Sequence, residues 1–146
     1  MKMRNYLFRG QDFNGRWVKG SLIQRHGAAY IVDSVRLDNM YVPVTCHAKV
    51  DVCPVLPATI GQFTGLTDAD GHEIFEGDIV ECCSEGVRAR GTVQQRKDGM
   101  WIIYPSWQNY IMWTLAPDQF LHTTVKVIGN ELNNPELVVK MRTVGE

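Results

Sequence analysis

Thr59-Ile60-Gly61-Gln62-Phe63-Thr64-Gly65-Leu66-Thr67-Asp68-Ala69-Asp70-Gly71-His72-Glu73-Ile74-Phe75-Glu76-Gly77-Asp78-Ile79-Val80 is the stretch whose reading decides the fold. Asp70-Gly71 makes a tight turn, Glu76-Gly77-Asp78 makes a second corner, and the residues between them are short β-type runs. Glycine and aspartate at such positions serve the backbone first, so the stretch speaks for fold before it speaks for chemistry.

Downstream the same rhythm continues. Runs at 59–64, 78–83 and 87–96 are followed by a Lys97-Asp98-Gly99 turn and by further runs at 100–104, 109–114 and 124–130. A glycine corner entering a strand, a hairpin and a second tight turn are the spacing of a small SH3-like barrel, with Ile79, Val93 and Trp101 as core side chains. Helix is scarce. Pro117 to Leu121 offers one turn, and Asn134-Pro135-Glu136 offers an N-cap asparagine with proline at the first helical position.

Upstream, residues 3–9 alternate, Asp12-Phe13-Asn14-Gly15 is a turn cluster, and 16–23 and 28–32 read as strands, which predicts a hairpin with Gly15 at positive φ. Pro43 confines 35–44 to an edge or a loop. Two prolines within Cys53-Pro54-Val55-Leu56-Pro57 mark a linker. The expected organisation is therefore mostly β with very little helix: an N-terminal β meander over residues 1–57 and an SH3-like barrel over 58–146.

Composition excludes several classes. The chain has 146 residues, 45% of them apolar and 21% charged, which is the balance of a globular protein with a packed core. Fifteen basic residues against 16 acidic ones leave a net charge of −1, without the global positive field of a duplex-coating protein. No run approaches the ~18 apolar residues of a membrane span, and the amino terminus has no secretory h-region, so no membrane association and a cytoplasmic location are expected. Cys46, Cys53, Cys82 and Cys83 form no Cys-x-x-Cys pair and are expected to be reduced, structural thiols. Along the run at 78–83, alternation sends one of Cys82 and Cys83 inward and the other outward.

The blocks Phe8-Arg9-Gly10, Trp17-Val18-x-Gly20-Ser21-Leu22, the long stretch from Ile60 to Val80, and Val127-Ile128-Gly129-Asn130 with Asn134-Pro135-Glu136-Leu137 resemble the YopX family of phage and prophage proteins. The resemblance is specific between 60 and 80 and weak from 24 to 57. It implies a β-rich protein whose C-terminal part is SH3-like and whose gene travels with phage. It implies no catalytic residue.

Each candidate site also has a backbone explanation. Asp68-Ala69-Asp70-Gly71-His72-Glu73 suggests a calcium loop, but aligning Gly71 with position six of an EF-hand puts Leu66 at position one and Gly77 at position twelve, and neither ligates through a side chain. A polar hairpin turn is the expectation. His26, His47, His72 and His122 are scattered, and no hydrolase, zincin or P-loop motif occurs, so no metal, cofactor or catalytic residue is assigned. The segment 87–113 mixes cations with aromatics as single-strand binders do, and Arg88, Arg90, Arg96, Lys97, Tyr104 and Trp107 form the candidate ligand face. Core packing of the aromatics beside a solvated strand face explains the same pattern.

The sequence thus predicts a non-enzymatic binding module with an unknown protein partner. An accessory nucleic-acid-binding protein is the alternative, and an enzyme using a thiol or a dispersed metal site is the third reading. Edge strands left by a meander admit a homo-oligomer.

Overall fold

The structure, a computed structural model, describes residues 6–37, 48–84, 87–104 and 113–137. The chain divides into two compact units, Met1–Gln62 and Phe63–Glu146.

In the first unit, β1 (Phe8–Gln11), β2 (Trp17–Arg25), β3 (Ala28–Leu37) and β4 (Ala48–Val55) form an antiparallel meander in the order β4-β3-β2-β1. The predicted first hairpin is present, with Gly15 at φ 80°. Alternation then sorts the side chains. Ala29, Ile31 and Val55 are buried, and Phe8, Val18, Leu22 and Ile60 pack against them on the same side of the sheet.

The proline-rich stretch behaves differently from a linker. Cys53, Pro54 and Val55 lie in β4, paired with Ile31, Tyr30 and Ala29. Pro57–Thr59 is a 3-10 turn, held by the Thr59 hydroxyl, which donates to the Leu56 carbonyl (2.6 Å) and accepts the Gln11 amide (2.8 Å). Proline is tolerated because β4 ends the strand order, where an amide facing away from the sheet is not needed. Of the expected loop or edge at 35–44, residues up to Leu37 belong to β3, and the rest lie outside the described residues.

β5 (Gly61–Thr67) begins in the first unit, where Gly61 and Gln62 pair with β1, and continues into the second. There it forms a hairpin with β6 (Glu73–Phe75), pairing Phe63 with Phe75 and Thr67 with Glu73 around an irregularity at Gly65. The Phe63 and Phe75 rings lie 5.4 Å apart. The remaining strands are β7 (Asp78–Ser84), β8 (Val87–Gln95), β9 (Trp101–Tyr104), β10 (Trp113–Thr114) and β11 (Lys126–Asn130), in the antiparallel order β10-β9-β8-β7-β11. Short antiparallel strands and the glycine corner at Gly77 (φ 89°) agree with the sequence reading. Among the described residues β10 and β11 are the two edges of this sheet, an open order and not a closed ring.

Leu66 and Ile74 of the hairpin pack with Val80, Cys82, Ala89, Val93, Ile103, Leu115 and Val125 to make the core of the second unit. Val93 is where the sequence places it. Ile79 is equally buried, but it alternates with Val80 and sits on the opposite side of β7, across from Thr92. Trp101 is half-buried and packs against the rim of the core. Of the C-terminal helical signal, the described residues 135–137 are helical, and the Leu137 amide bonds the Asn134 carbonyl (3.1 Å).

Candidate ligand face

Arg90 on β8 lies directly across from Glu81 on β7, and its Nε donates to the Glu81 carboxylate at 3.2 Å. The pair follows from register: both residues alternate with core positions, Ala89 and Gly91 on one strand and Val80 and Cys82 on the other, so both point away from the core. Tyr104 on β9, 42% exposed, pairs with Thr92 and therefore shares that outer side with Arg90.

Arg96 and Lys97 belong to the β8–β9 turn. The Arg96 amide bonds the Met100 carbonyl (2.8 Å), the Gly99 amide bonds the Arg96 carbonyl (2.9 Å), and the Arg96 guanidinium reaches the Asp98 carboxylate and the Met100 sulfur. Lys97 is exposed at the tip. The Arg88 side chain and Trp107 lie outside the described residues. The structure therefore brings Arg90 and Tyr104 onto one sheet face and puts Arg96 and Lys97 in a turn. Arg90 and Arg96 each have an acidic partner, as does Lys126 of β11, whose ammonium lies 3.6 Å from Asp70. Such pairing removes much of the positive field that phosphate contacts need.

The other polar cluster is the β5–β6 turn, where Asp68, Asp70 and His72 bring ligand atoms within 4.8 Å of one another. Its geometry is that of a hairpin loop, as the sequence suggested. Asp68 Oδ1 accepts the amides of Asp70 (2.9 Å) and His72 (2.8 Å), and Oδ2 accepts the Val127 amide (3.1 Å). The His72 ring Nδ1 lies 3.4 Å from Oδ2. Burial pushes the Asp68 carboxyl up, but the hydrogen bonds from Val127, His72 and Asp70 outweigh it and hold its pKa below the usual carboxylate range. The carboxylate that anchors the cluster is thus engaged with backbone donors.

Asp78 is used similarly: it is 2% exposed, and its Oδ2 accepts the buried Phe75 amide at 2.8 Å. Gly129 has a packing role. A Cβ added there would stand 2.5 Å from Asn134 Oδ1, the atom that accepts the Asn130 amide at 3.2 Å. The residues most recognisable in sequence are occupied in holding turns.

The thiols are also structural in setting. Cys82 is buried, with Sγ 3.5 Å from the Ala89 carbonyl. Cys53 is half-buried, and desolvation, followed by the nearby charges of Asp33 and Asp12, raises its thiol pKa, which suppresses the nucleophilic thiolate. Cys46 lies outside the described residues, as does the Cys83 side chain.

Sequence reasoning missed a feature of the first unit. Ile23 (43% exposed), Val35 (59%), Val50 (41%) and Val52 (43%) all stand on the side of the sheet opposite its core. Ile23 pairs with Tyr30 and Val35 with Val50, so three adjacent strands contribute to one exposed apolar surface. The signal is the alternation Val50-Asp51-Val52-Cys53, which runs into the proline-rich stretch read as a linker.

Comparison with known proteins adds a fold and a family. The crystal structure of protein EF1440 from Enterococcus faecalis is similar, with a TM-score of 0.59 and 19% identity, over 92% of this chain and 98% of that one. No curated protein matches the chain significantly. The model of the YopX protein family matches residues 7–139, nearly the whole length. With both β units inside that match, this chain belongs to the YopX family.

Proposed function

We propose that the protein is a phage- or prophage-encoded accessory protein of the cytoplasm that works by binding another protein and not by catalysis. The observation that carries this reading is the exposed apolar side of the first unit's sheet, where Ile23, Val35, Val50 and Val52 stand at 41–59% exposure. Large β-branched side chains gathered on one sheet face lose their contact with water when a partner covers them, which is the main source of association energy. The engagement of Asp68 and Asp78 with backbone amides supports the same reading, because a general acid or base needs a lone pair or proton directed at substrate. Family membership supports the phage setting. No helix among the described residues is long and apolar enough to cross a membrane. The glycine-cornered meander β7-β8-β9 supports an SH3-like reading of the second unit.

A nucleic-acid reading draws on Arg90 and Tyr104 sharing a face. It is the weaker one, because Glu81 neutralises Arg90.

The test is a pull-down with the tagged full chain from phage-carrying cells, with and without nuclease, alongside a variant carrying Val35→Lys and Val52→Lys. A protein retained through nuclease treatment and lost from the variant is the expected result. Recovery that vanishes with nuclease overturns the reading in favour of nucleic acid. A protein recovered equally by the variant removes the apolar face from it.

A further inference from the structure

We infer that the exposed apolar face of the first unit seats the Phe120-Leu121 loop tip of a second copy of this chain, so that the basic unit of one copy meets the acidic unit of the next. The inference names the partner in the protein-binding reading above and rests on it.

Leu121 starts the argument. Its φ is 66°, a left-handed conformation that strains a residue with a β-carbon, whereas Gly15 and Gly71 hold the same position in the loops 12–16 and 68–72, which share its backbone hydrogen bonds. The side chain gains little within its own chain, since Leu121 is 52% exposed and Phe120 beside it 69%. A strained residue whose apolar side chain faces water points to a contact made outside the chain. The loop also holds that pair in place. The Leu121 carbonyl accepts the Thr67 amide (3.1 Å), and the Thr123 amide (2.8 Å) and hydroxyl (2.9 Å) donate to the Thr67 carbonyl. A pre-ordered apolar tip loses little entropy on docking.

Charge selects the occupant. Met1–Gln62 contains eight basic residues and four acidic ones, a net charge of +4, whereas Phe63–Glu146 contains seven and twelve, a net charge of −5. Ion pairs inside either unit cannot cancel these charges, because each unit has too few residues of the opposite sign. The near-zero charge of the whole chain therefore hides two units of opposite sign. In the first unit the signs are also sorted by side of the sheet. Alternation puts Arg9, Lys19 and Arg25 on the outer side with Ile23, and no acidic residue among the described strand positions shares it. Asp51 alternates with Val50 and Val52, and Asp33 lies on the side of Cys53, whose thiol its charge reaches. The outer side thus offers apolar groups under a positive sign. An apolar tip on an acidic unit answers both, and each copy of this chain carries one. The Phe120 ring alone brings ~150–250 Å² of surface, the scale of a patch built from four half-exposed branched side chains. Because face and tip are unlike surfaces, the contact either closes into a ring of copies or runs on from copy to copy.

The experiment is sedimentation equilibrium of the purified full chain at low salt. The samples are wild type, a face variant carrying Val35→Lys and Val52→Lys, a tip variant carrying Phe120→Ser and Leu121→Gly, and an equimolar mixture of the two variants. Leu121→Gly relieves the positive φ, so the tip variant should melt no lower than wild type. If the face variant fails to fold, Arg25→Glu at the exposed end of β2 replaces it. Wild type should associate at about 100 µM or below, and each variant alone should associate about tenfold more weakly or worse. The mixture should recover a one-to-one complex, because the intact face of the tip variant receives the intact tip of the face variant. Raising salt to about 0.5 M should weaken the wild-type association about threefold or more. A wild-type monomer, an association that either variant leaves intact, a mixture no better than its components, or indifference to salt overturns the inference. If the wild type is monomeric and the pull-down still captures a protein that the face variant loses, the binding reading stands and only the identity of the occupant falls.

Discussion

Replacing Asp68 should cost more stability than replacing any other turn residue of the second unit, and the structure sets the scale. Its side chain is completely buried and accepts three backbone amides, those of Asp70, His72 and Val127. Hydrogen bonds to a charged acceptor contribute ~1.5–3 kcal/mol each. The Asp70 and His72 amides lie in an exposed turn where water can replace the carboxylate, so their loss belongs at the low end. The Val127 amide is half-buried and would be left with a desolvation penalty. Asp68→Ala should therefore cost about 3–5 kcal/mol. Asp68→Asn keeps one carbonyl oxygen for the turn but directs an amide donor at another donor, at a cost of about 2 kcal/mol. Asp12→Ala is the control, since Asp12 Oδ1 accepts the Asn14 and Arg16 amides in a loop of the same form that is open to water, and it should cost only about 1 kcal/mol. Urea unfolding followed by tryptophan fluorescence reads all three, because Trp101 and Trp113 pack against the core of the second unit and Trp17 stands on β2 of the first. An Asp68→Ala variant within about 1 kcal/mol of wild type, or no worse than Asp12→Ala, would refute the assignment of Asp68 as anchor.

The same carboxylate predicts acid sensitivity: its folded pKa is lowered, so its stabilisation is complete above the unfolded value near ~3.9 and is lost as pH falls through the folded value. Urea midpoints should drop below about pH 4, and the Asp68→Asn variant should show a flatter decline there. Asp118, held low by the His122 and Phe120 amides, titrates in the same direction. Gly71→Ala should destabilise by about 1 kcal/mol in the same assay although nothing lies within 4 Å of the added Cβ, because φ of 84° alone penalises it. Thr59→Val, which keeps the shape and removes both hydroxyl bonds, should cost the first unit about 1–2 kcal/mol. Oligonucleotide binding measured by anisotropy at low salt should be weak and should barely change in Arg90→Ala, since Arg90 already serves Glu81; strong binding with a steep salt slope would reinstate the nucleic-acid reading.

How much of this was legible in the sequence depends on who pairs with whom. Turns speak locally, and Gly15, Gly71, Gly77 and Gly99 all take the positive φ that their settings in the sequence indicate. Strands are less local. β4 was hidden because proline argues against a central strand, and only the sheet order reveals that its place is an edge. The candidate ligand face was legible as a composition but not as a field. Arg90 and Glu81 are nine residues apart in sequence, and only the β7–β8 register makes them neighbours. Ile79 and Val93 are both buried as the strand rhythm indicates, but on opposite sides of the sheet, because residues on both sides of β7 are buried.

A single loop design recurs where the chain reverses. In 12–16, 68–72 and 118–122 an aspartate accepts the amides two and four residues ahead, its own amide bonds the carbonyl four ahead, and its carbonyl receives the amide three ahead. The β8–β9 turn at 96–100 has the same backbone bonds, but Arg96 stands in the aspartate's place and Asp98 caps the Met100 amide instead. The fourth position needs positive φ, and Gly15, Gly71 and Gly99 supply it. In the third loop Leu121 takes that position at φ 66°, against a steric cost of ~1–2 kcal/mol. It is also 52% exposed beside Phe120 at 69%, so neither the backbone nor the side chain gains from being leucine there. Strain of that kind persists only where the surrounding bonds over-determine the loop. Here they do: the Leu121 carbonyl accepts the Thr67 amide, the Thr123 amide and hydroxyl both donate to the Thr67 carbonyl, and the strained tip is tied to the Asp68 turn at its base. The 68–72 and 118–122 loops of the second unit are therefore coupled and not independent ornaments, whereas the exposed valines of the first unit stand on strands whose sequence announces only alternation.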